Sequence, residues 1–502
     1  MSEEIRILQL GTEDWNNCYQ LPNYVELTFA EEFLVPPKQT YDLVFVDRPI
    51  KKAELKALCK ATKAHTLYVT DKEVWNENMQ EFYTRKVGKR IAADNLQDFL
   101  LKETKYYFSK PYGEKFHSYD VAVAQGFSGT IQWNGNESIL LEGDFGEQMN
   151  QAAYWRSNIP VFEGQAIEFW LEYKKDPEIE IALSITQFVG GSISEVQKTW
   201  FFTEDELDEV IIVDNQLKTG AVFISLLAKG KGSLEIIALH DRHSRRGHGV
   251  FLPGGQRYVT SNREEIFSYF DPGDLKPPLA VYFSGYKTMQ GFEGYYLMRN
   301  MGCPFLLIAE PRLEGGSFYM GDNEYETGIV DIIKKHMKEL GFSKDQVILS
   351  GLSMGAFGAL FYGCDIRPHA VIVGKPLASI GDVAKNERLL RPGGFPTSLD
   401  VLSKVSGDCD EESVKRLNER FWNKIDAAKW DNSKFVVSYM IEDDFDSTAY
   451  QTLLSHVNGS GMKVYGKGIH GRHNDETGAI VAWFKRQYDK ILQEDFGRKA
   501  DM

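Results

Sequence analysis

A serine flanked by two glycines is the strongest candidate nucleophile in this chain. Ser353 lies between Gly351 and Gly355, after the run VILS and before the small-residue helix start AFGALFYG. A strand that turns sharply into a helix at a serine forms a nucleophile elbow, which exposes the hydroxyl for attack on an acyl carbonyl. Glycines suit this turn because larger side chains would collide where strand and helix come close. The alternative interpretation is a small residue at a tightly packed turn.

A histidine that could activate this serine lies in the sequence GIHGRHND. A serine hydroxyl is a poor nucleophile without a general base. His473 ends a glycine-rich loop just before a helical pattern, the usual place for the catalytic imidazole when serine, acid and histidine occur in this order. His470 is the alternative, three residues closer to the preceding strand.

Acidic residues follow the strand KFVVSYMI, where the third member of a catalytic triad is expected. Such an acid orients the imidazole and stabilises its charged form. We predict Asp443 as this acid, with Glu442 as the alternative. Asp444 and Asp446 could instead bind the backbone of the same loop.

Backbone amides near the serine could stabilise the oxyanion that forms during acyl transfer. The amide of Met354 opens the helix after the elbow, and a helix N-terminus attracts negative charge. The loop FSGYKTMQG could supply a second amide, from Gly285 or Tyr286. Arg312, at the end of AEPR, is a candidate for binding an anionic or polar substrate; a salt-bridged surface arginine is the alternative.

The elements that must hold these residues alternate between strands and helices over residues 250–502. The predicted strands are PLAVYFSG, PFLLIAEPR, QVILSG, HAVIVGKP, KFVVSYMIEDD and MKVYGKG. Helical patterns such as DNEYETGIVDIIKKHMKEL lie between them. This alternation predicts a parallel, doubly wound sheet, and together with the elbow it predicts an α/β-hydrolase domain.

Two further domains are predicted before this region. Residues 1–115 carry continuous apolar strands such as IRILQL and YDLVFVD, which indicate a small Rossmann-like α/β domain. Residues 116–245 carry short strands separated by turn residues, which predict a β-sandwich similar to carbohydrate-binding modules. Its aromatic side chains could form a sugar-stacking platform or fill the core: Trp133, Tyr154, Trp155, Trp170 and Trp200.

The segment HDRHSRRGHG contains three histidines but does not predict a metal site. No carboxylate or cysteine pattern accompanies His240, His243 and His248, and three arginines add positive charge. We therefore predict a solvated linker between the second and third domains. We expect no metal and no tightly bound cofactor, and the sequence does not identify an acyl donor.

Composition and charge disfavour nucleic-acid-binding, membrane-spanning and secreted classes of protein. The net charge of −15 disfavours binding to nucleic acid or to an anionic membrane surface. No run of 18 apolar residues predicts a membrane span, and the acidic start MSEEIRILQL lacks the features of a signal peptide. The five cysteines are scattered and odd in number, which favours reduced thiols. We expect a cytoplasmic protein.

Four stretches of the C-terminal region together resemble one known family. They are YFSGYKTMQGFEGYY, EPRLEGGSFYMG, SGLSMGAFGALFYG and GIHGRHNDETGAIVAWF. In this combination they resemble the accessory Sec system protein family, specifically its second "Asp" protein, where the acronym stands for accessory secretion. The motifs cover about residues 250–490, and chain length and the three-part layout fit over the rest.

This resemblance implies a cytoplasmic protein, peripheral at the translocon, that assists export of serine-rich-repeat adhesins. It implies partners among the other accessory Sec proteins, the accessory motor ATPase and the glycosylated adhesin. It also implies an O-acetyltransferase acting on N-acetylglucosamine of that adhesin, with Ser353 as the nucleophile, Asp443 as the acid and His473 as the base. The acid of the family can be a glutamate, which keeps Glu442 as an alternative.

Two other functions fit the same residues. A carboxylesterase or deacetylase would use the same triad with water as the acceptor. A non-catalytic adaptor would keep the hydrolase fold only to bind secretion partners. The glycine- and proline-containing segment from Arg388 to Leu417 is predicted to be an irregular lid or partner surface.

Overall fold

The chain folds into three β-sheets with helices packed on the first and third. The computed structural model describes residues 4–498 except 37, 39, 72–74, 391, 431–432 and 458–461. Arg391, within the predicted lid, therefore lies outside the described residues. A mixed α/β fold is confirmed.

The first sheet is parallel and has five strands. Its strands are β1 (Ile5–Leu10), β2 (Val25–Ala30), β3 (Leu43–Val46), β4 (Leu67–Thr70) and β5 (Lys89–Ile91), and its helices are α1 (Leu55–Ala61), α2 (Glu77–Arg85) and α3 (Leu96–Lys102). The strand order is β2-β1-β3-β4-β5, and each adjacent pair is parallel. Strands β3 and β4 are buried throughout, which explains their continuous apolar sequences.

The second, middle sheet is antiparallel and has ten strands. They are β6 (Gly113–Phe116), β7 (Val121–Val123), β8 (Thr130–Asn134), β9 (Ser138–Trp155), β10 (Ile159–Val161), β11 (Ala166–Lys175), β12 (Glu180–Val189), β13 (Val196–Thr203), β14 (Ile211–Asp214) and β15 (Gly220–His243). Strand β15 has 24 residues and pairs with β6, β9, β10, β11 and β12. The predicted sandwich strands are therefore hydrogen bonded into one continuous sheet around one apolar core. Gly230 and Gly232, with φ of 99° and 145°, permit β15 to bend between its partners.

The third sheet has eight strands in the order β16-β17-β19-β18-β20-β21-β22-β23. They are β16 (Gln256–Val259), β17 (Glu265–Asp271), β18 (Leu279–Phe283), β19 (Phe305–Ala309), β20 (Val347–Leu352), β21 (Ala370–Gly374), β22 (Lys434–Met440) and β23 (Lys463–Ile469). Strands β16 and β17 pair antiparallel with their neighbours, and the pairs from β19 through β23 are parallel.

Helices cover both faces of the third sheet. They are α4 (Tyr295–Arg299), α5 (Asn323–Leu340), α6 (Met354–Ile366), α7 (Ile380–Leu389), α8 (Thr397–Ser406), α9 (Glu411–Ala427), α10 (Ala449–Val457) and α11 (Thr477–Glu494). One core joins the sheet to α5, α6 and α9, and a second core joins its opposite face to α4 and α11. Both faces of the central strands are thus apolar, as expected for a doubly wound sheet. None of the helices in the described part of the chain is both long and apolar enough to cross a membrane.

Arg498, after α11, binds the segment before β18. Its guanidinium donates to the carbonyl oxygens of Lys276 and Pro277, at 3.1 and 3.0 Å. It also binds the carboxylate of Asp274 at 2.8 Å. The entry to β18 is therefore held by a residue more than two hundred positions later in the sequence.

A buried ion-pair cluster joins the middle sheet to the third sheet. Glu265, the first residue of β17, binds the guanidinium groups of Arg242 on β15 and Arg257 on β16. Burial alone would raise the pKa of Glu265, but these two positive charges, with a further contribution from His240, hold the pKa at about 2. The cluster therefore requires the ionised carboxylate.

We expect the stability conferred by Glu265 to depend on pH. Because the folded pKa of about 2 lies below the ordinary value of 4.5, the contribution is complete above pH 4.5 and is lost as the pH falls toward 2. The shift corresponds to about 3 kcal/mol. Urea unfolding of wild type and Glu265→Gln should show a stability difference that falls by more than half between about pH 7 and about pH 3. A difference that is the same at both pH values would contradict the assignment.

Of the two alternatives for the aromatic side chains of the middle sheet, the core is the one that Trp155 and Trp170 fit. Trp155 and Trp170 are 1% and 2% exposed, and Trp170 is stacked between the guanidinium groups of Arg257 and Arg263. Trp133, by contrast, is 48% exposed. Of the remaining two, Tyr154 packs on a phenylalanine ring and Trp200 lies against the core. The strand pattern alone does not reveal which face of a strand is covered.

The predicted solvated linker is also wrong. Strand β15 continues to His243, and five polar residues of HDRHSRRGHG are buried: His240, Asp241, Arg242, Ser244 and Arg245. Arg245 donates to the carbonyl oxygens of Tyr106, Phe108 and Phe251. His248 contacts a glutamate and a tyrosine hydroxyl of the N-terminal region. These charges are tolerated because partners in the first and third parts of the chain bind them.

Candidate active site

Ser353 lies at the turn between β20 and α6 with a strained backbone. Its φ of 54° and ψ of −119° are unusual for a residue with a side chain. Its amide donates to the carbonyl oxygen of Gly374 at 2.9 Å. A Cβ atom at Gly351 would lie 2.2 Å from the carbonyl oxygen of Gly355, and one at Gly355 would lie 2.1 Å from that of Phe283. Both glycines are needed for the strand and helix to approach this closely.

Replacing Gly355 by alanine should lower the free energy of unfolding by about 3 kcal/mol, because backbone atoms must move to admit the methyl group. The matched control is Gly478→Ala on α11, where no atom lies within 4 Å of the added Cβ. The control should unfold at the wild-type denaturant concentration or slightly above it. Denaturant unfolding of the three proteins measures both effects. Equal stability of Gly355→Ala and wild type would contradict the packing argument.

The side chains of Ser353, His473 and Asp443 form a continuous hydrogen-bonded chain. Ser353 Oγ lies 2.8 Å from Nε2 of His473, and Nδ1 of His473 lies 2.8 Å from Oδ2 of Asp443. The three residues follow β20, β22 and β23, whose carboxyl ends lie at the same edge of the sheet. With Nδ1 donating to the carboxylate, Nε2 can accept the serine proton. The structure brings the predicted nucleophile, base and acid together.

The environment of Asp443 favours the ionised carboxylate. Its second oxygen, Oδ1, accepts hydrogen bonds from the amides of Phe445 and Asp446, at 2.9 and 3.2 Å. Burial would raise the pKa of Asp443, but the hydrogen bond and charge of His473 and these two amides outweigh burial and lower the pKa. Asp443 is therefore negatively charged at neutral pH and can hold the imidazole in one orientation.

The alternative acid and base, Glu442 and His470, bind each other at the protein surface. Oε1 of Glu442 lies 2.9 Å from Nδ1 of His470, and its Oε2 accepts the amide of Gly471 at 2.6 Å. Both side chains are exposed. Their polar atoms stabilise the turn after β23. The buried acid and histidine that pair with each other are therefore Asp443 and His473.

Asp444 and Asp446 bind backbone amides, as the sequence allowed. Asp444 accepts the amide of His473 at 3.1 Å. Asp446 accepts the amides of Ala378 and Ser379, both at 2.9 Å, where α7 begins. These bonds connect the acid loop to the histidine loop on one side and to α7 on the other.

Residues 284–294 form the active-site loop between β18 and α4. The amide of Gly285, a predicted oxyanion donor, already has an acceptor, because it donates to Oε2 of Glu293 at 2.6 Å. Among the described residues, none accepts a hydrogen bond from the Tyr286 amide. Met354 is the first residue of α6, so its amide has no acceptor within the helix. Met354 and Tyr286 are therefore the better pair of candidate donors, and Glu293 is a residue that the sequence analysis missed.

Arg312 does not fit the predicted role in binding substrate. Its side chain is 1% exposed and lies over the ring of Tyr325. Its guanidinium pairs with the carboxylates of Glu310 and Glu264. Glu310 in turn accepts the amides of two residues in the following turn. The position after a strand suggested a surface residue, but Glu310, two residues earlier, and Glu264, before β17, enclose it.

Lys375 is a second residue near the triad that the sequence analysis missed. It follows β21 with a φ of 51°, and its amide donates to the carbonyl oxygen of Ser438. Its buried ammonium donates to the carbonyl oxygen of Asp475 and the hydroxyl of Thr477, at 3.0 and 2.9 Å. Burial lowers the pKa of Lys375, while the charges of Asp443 and Asp475 oppose this shift. Lys375 thus fixes the segment that follows His473.

Aromatic side chains line the approach to the triad. The Phe445 ring packs edge-on against His473 at 4.9 Å, and Phe395 packs against both Phe445 and Tyr286. Phe395 belongs to the segment predicted to be an irregular lid. That segment contains α8 and the start of α9, so it is mostly helical; its prolines and two of its glycines lie before α8, and Gly407 ends α8.

A family model described as the accessory Sec system GspB-transporter matches residues 5–498 of this chain. The chain belongs to this accessory Sec family, that of the second "Asp" protein. The family's member in Streptococcus gordonii, an accessory Sec system protein, is 37% identical over 510 residues, covering 99% of this chain and all of that protein. The corresponding protein of Staphylococcus aureus is 35% identical over 518 residues, covering 99% and 98%.

A solved structure resembles this accessory Sec chain over its full length. A chain of the Glycosylation Associate Protein (Gap123) complex from Streptococcus agalactiae superposes with a TM-score of 0.88 at 36% identity. The match covers 99% of this chain and 100% of that one. The resemblance carried by four C-terminal motifs is confirmed and extends to the first and middle sheets.

Proposed function

We propose that this accessory Sec chain is a serine-dependent O-acetyltransferase with an α/β-hydrolase domain. The observation that carries the proposal is the chain of hydrogen bonds from Ser353 through His473 to Asp443, each 2.8 Å long. The strained elbow supports it, because backbone strain of this kind is retained where the surrounding structure enforces it and is common at active sites. The chain order of serine, acid and histidine, after β20, β22 and β23, is that of α/β-hydrolases.

The first half of the proposed reaction forms an acetyl-enzyme. His473 accepts the proton of Ser353 as Oγ attacks the carbonyl carbon of an acetyl donor. The amides of Met354 and Tyr286 stabilise the resulting oxyanion, a contribution of about 3 kcal/mol for a single donor in a comparable site. The bond to the leaving group then breaks, and the leaving group takes the proton from His473. The acetyl group is now an ester on Ser353.

The second half transfers this acetyl group to a sugar. A hydroxyl of N-acetylglucosamine gives its proton to His473 and attacks the acetyl carbonyl. The bond to Oγ breaks, and Ser353 recovers the proton from His473. Water entering in place of the sugar would give hydrolysis through the same steps, so a carboxylesterase or deacetylase is the closest alternative.

We also propose that the chain assists export of the glycosylated serine-rich-repeat adhesin that carries this sugar. Membership of the accessory Sec family supports a cytoplasmic role beside the other accessory Sec proteins and the motor ATPase. The similarity to a chain of the Gap123 complex supports assembly with such partners. Export and acetylation are separable in principle, because docking surfaces need not include Ser353.

A transfer assay distinguishes these functions. The full chain and Ser353→Ala are incubated with p-nitrophenyl acetate and a serine-rich peptide bearing N-acetylglucosamine, and the peptide is weighed by mass spectrometry. We expect a Ser353-dependent mass increase of one acetyl group. Ser353-dependent release of acetate without a modified peptide would favour an esterase. Absence of both reactions would favour a non-catalytic adaptor.

A further inference from the structure

The active-site loop connects the elbow to the middle sheet. At one end, a Cβ added at Gly285 would lie 3.3 Å from the carbonyl oxygen of Leu352, next to the nucleophile. At the other end, the amide of Gln290 donates to the carbonyl oxygen of Gly113 on β6, at 2.8 Å. The candidate donor Tyr286 lies between these two points. The position of its amide therefore depends on how both ends are held.

The side chain of Gln290 is bound entirely by the middle sheet. Its Oε1 accepts Nε of Arg242 at 2.7 Å. Its Nε2 donates to the carbonyl oxygen of Glu114 at 2.9 Å and to Nδ1 of His240 at 2.7 Å. With the backbone bond to Gly113, four hydrogen bonds fix this one loop residue to β6 and β15.

The partners of Gln290 are themselves held rigidly. Nε2 of His240 binds the carboxylate of Glu172 on β11 at 2.7 Å, and Arg242 pairs with Glu265. All four of these residues are buried, with at most 3% of their surface exposed. Buried, fully paired polar groups have few alternative arrangements. The middle sheet thus offers Gln290 a fixed anchor.

The same cluster contains a set of residues that could be mistaken for a metal centre. Ligand atoms of Glu172, His240 and Glu265 lie within 4.8 Å of one another. However, the guanidinium groups of Arg242 and Arg257 already neutralise Glu265. Both ring nitrogens of His240 also have hydrogen-bond partners. The residues present fit a hydrogen-bonded support better than a cation site.

We propose that Gln290 is a positioning residue for acyl transfer, through which the middle sheet sets the position of the Tyr286 amide. Gln290 acts through the active-site loop and not on the substrate. The middle sheet is then part of the catalytic machinery and not a detachable module. This inference rests on the proposed acyltransferase function.

The test uses the full chain with Gln290→Met, which keeps the length of the side chain but removes its hydrogen bonds. Met289→Gln is the matched control, because Met289 is the neighbouring loop residue and is half exposed. For p-nitrophenyl acetate we expect kcat of Gln290→Met to fall by about tenfold to about a hundredfold with little change in KM, since a displacement of about 1 Å can cost about a hundredfold in rate. The control should keep the wild-type kcat.

Two further measurements separate positioning from a loss of fold. A trifluoromethyl ketone, which forms a tetrahedral adduct with the serine, should bind Gln290→Met more weakly by the same factor as kcat/KM, because it carries the oxyanion. Hydrogen exchange should quicken in the active-site loop and not in α6 or α11. Gln290→Glu keeps the acceptor for Arg242 and serves as a milder variant, with an intermediate fall in kcat, should the methionine variant unfold.

The outcomes distinguish this inference from the function on which it rests. Wild-type kcat and analogue affinity in a folded Gln290→Met would overturn the positioning role and leave the acyltransferase proposal standing. Unchanged hydrogen exchange in the active-site loop would also overturn it. A wild-type chain without Ser353-dependent ester cleavage would overturn both.

Discussion

Alanine at Ser353 or at His473 is expected to abolish labelling by a fluorophosphonate probe and to lower kcat for ester cleavage by about a millionfold. Such probes trap a serine only when a base has activated it. The two substitutions should be about equally damaging, because Ser353 Oγ and His473 Nε2, 2.8 Å apart, act in one proton transfer. Labelling of purified protein and initial rates with p-nitrophenyl acetate measure both effects.

His470→Ala is the matched control for this experiment. His470 lies in the same loop as His473 but binds the exposed Glu442. Its loss should leave labelling and kcat within about twofold of wild type, as for most surface substitutions away from a functional site. Labelling that survives in His473→Ala, or that is lost in His470→Ala, would show that His473 is not the base. A folded wild-type chain that does not react would favour the adaptor function.

Asparagine at Asp443 is expected to lower kcat by about ten-thousandfold with little change in the fold. An amide in place of the carboxylate can no longer hold the proton of His473 on Nδ1, and the corresponding change in a serine protease has about this effect. The lowered pKa of Asp443 means that wild type keeps the carboxylate ionised throughout the neutral range. Steady-state kinetics with p-nitrophenyl acetate measure the loss.

Glu442→Gln is the control for the acid, because Glu442 is adjacent in sequence yet bonded to His470 at the surface. We expect its kcat to remain within about twofold of wild type. A larger loss in Glu442→Gln than in Asp443→Asn would mean that the two acids exchange places when substrate binds. Circular dichroism of both variants shows whether any loss comes from unfolding.

The sequence predicted the parts of the site that depend on local order along the chain. Ser353 was found because a strand, a glycine-flanked serine and a small-residue helix occur in succession. His473 was chosen over His470 because it directly precedes a helix, and α11 does begin four residues later. The acid was harder to choose, since four carboxylates lie within five positions. Only the fold shows that Asp443 points to the imidazole while Glu442 points to solvent.

The predictions that failed depended on which partners the polar groups bind in the folded chain. Arg312 ends a strand as a surface arginine would, but Glu264 and Glu310 enclose it. His240 was placed in a linker because its sequence is polar, whereas Glu172 and Gln290 satisfy it inside the protein. The amide of Gly285 is taken by Glu293, a contact that no spacing rule specifies. Partners of buried polar groups are a property of the tertiary structure.

The contacts of Arg498 with the segment before β18 determine when the active site can form during translation. The first and middle sheets lie early in the chain and can fold while translation continues, as N-terminal domains generally do. The entry to β18 is bound by Arg498, and α11 covers one face of the third sheet. We therefore expect Ser353, Asp443 and His473 to be held together only after the residues through Arg498 have left the ribosome. A nascent chain arrested before α11 emerges should be inert toward a fluorophosphonate, and reactivity should appear once the residues through Arg498 have emerged.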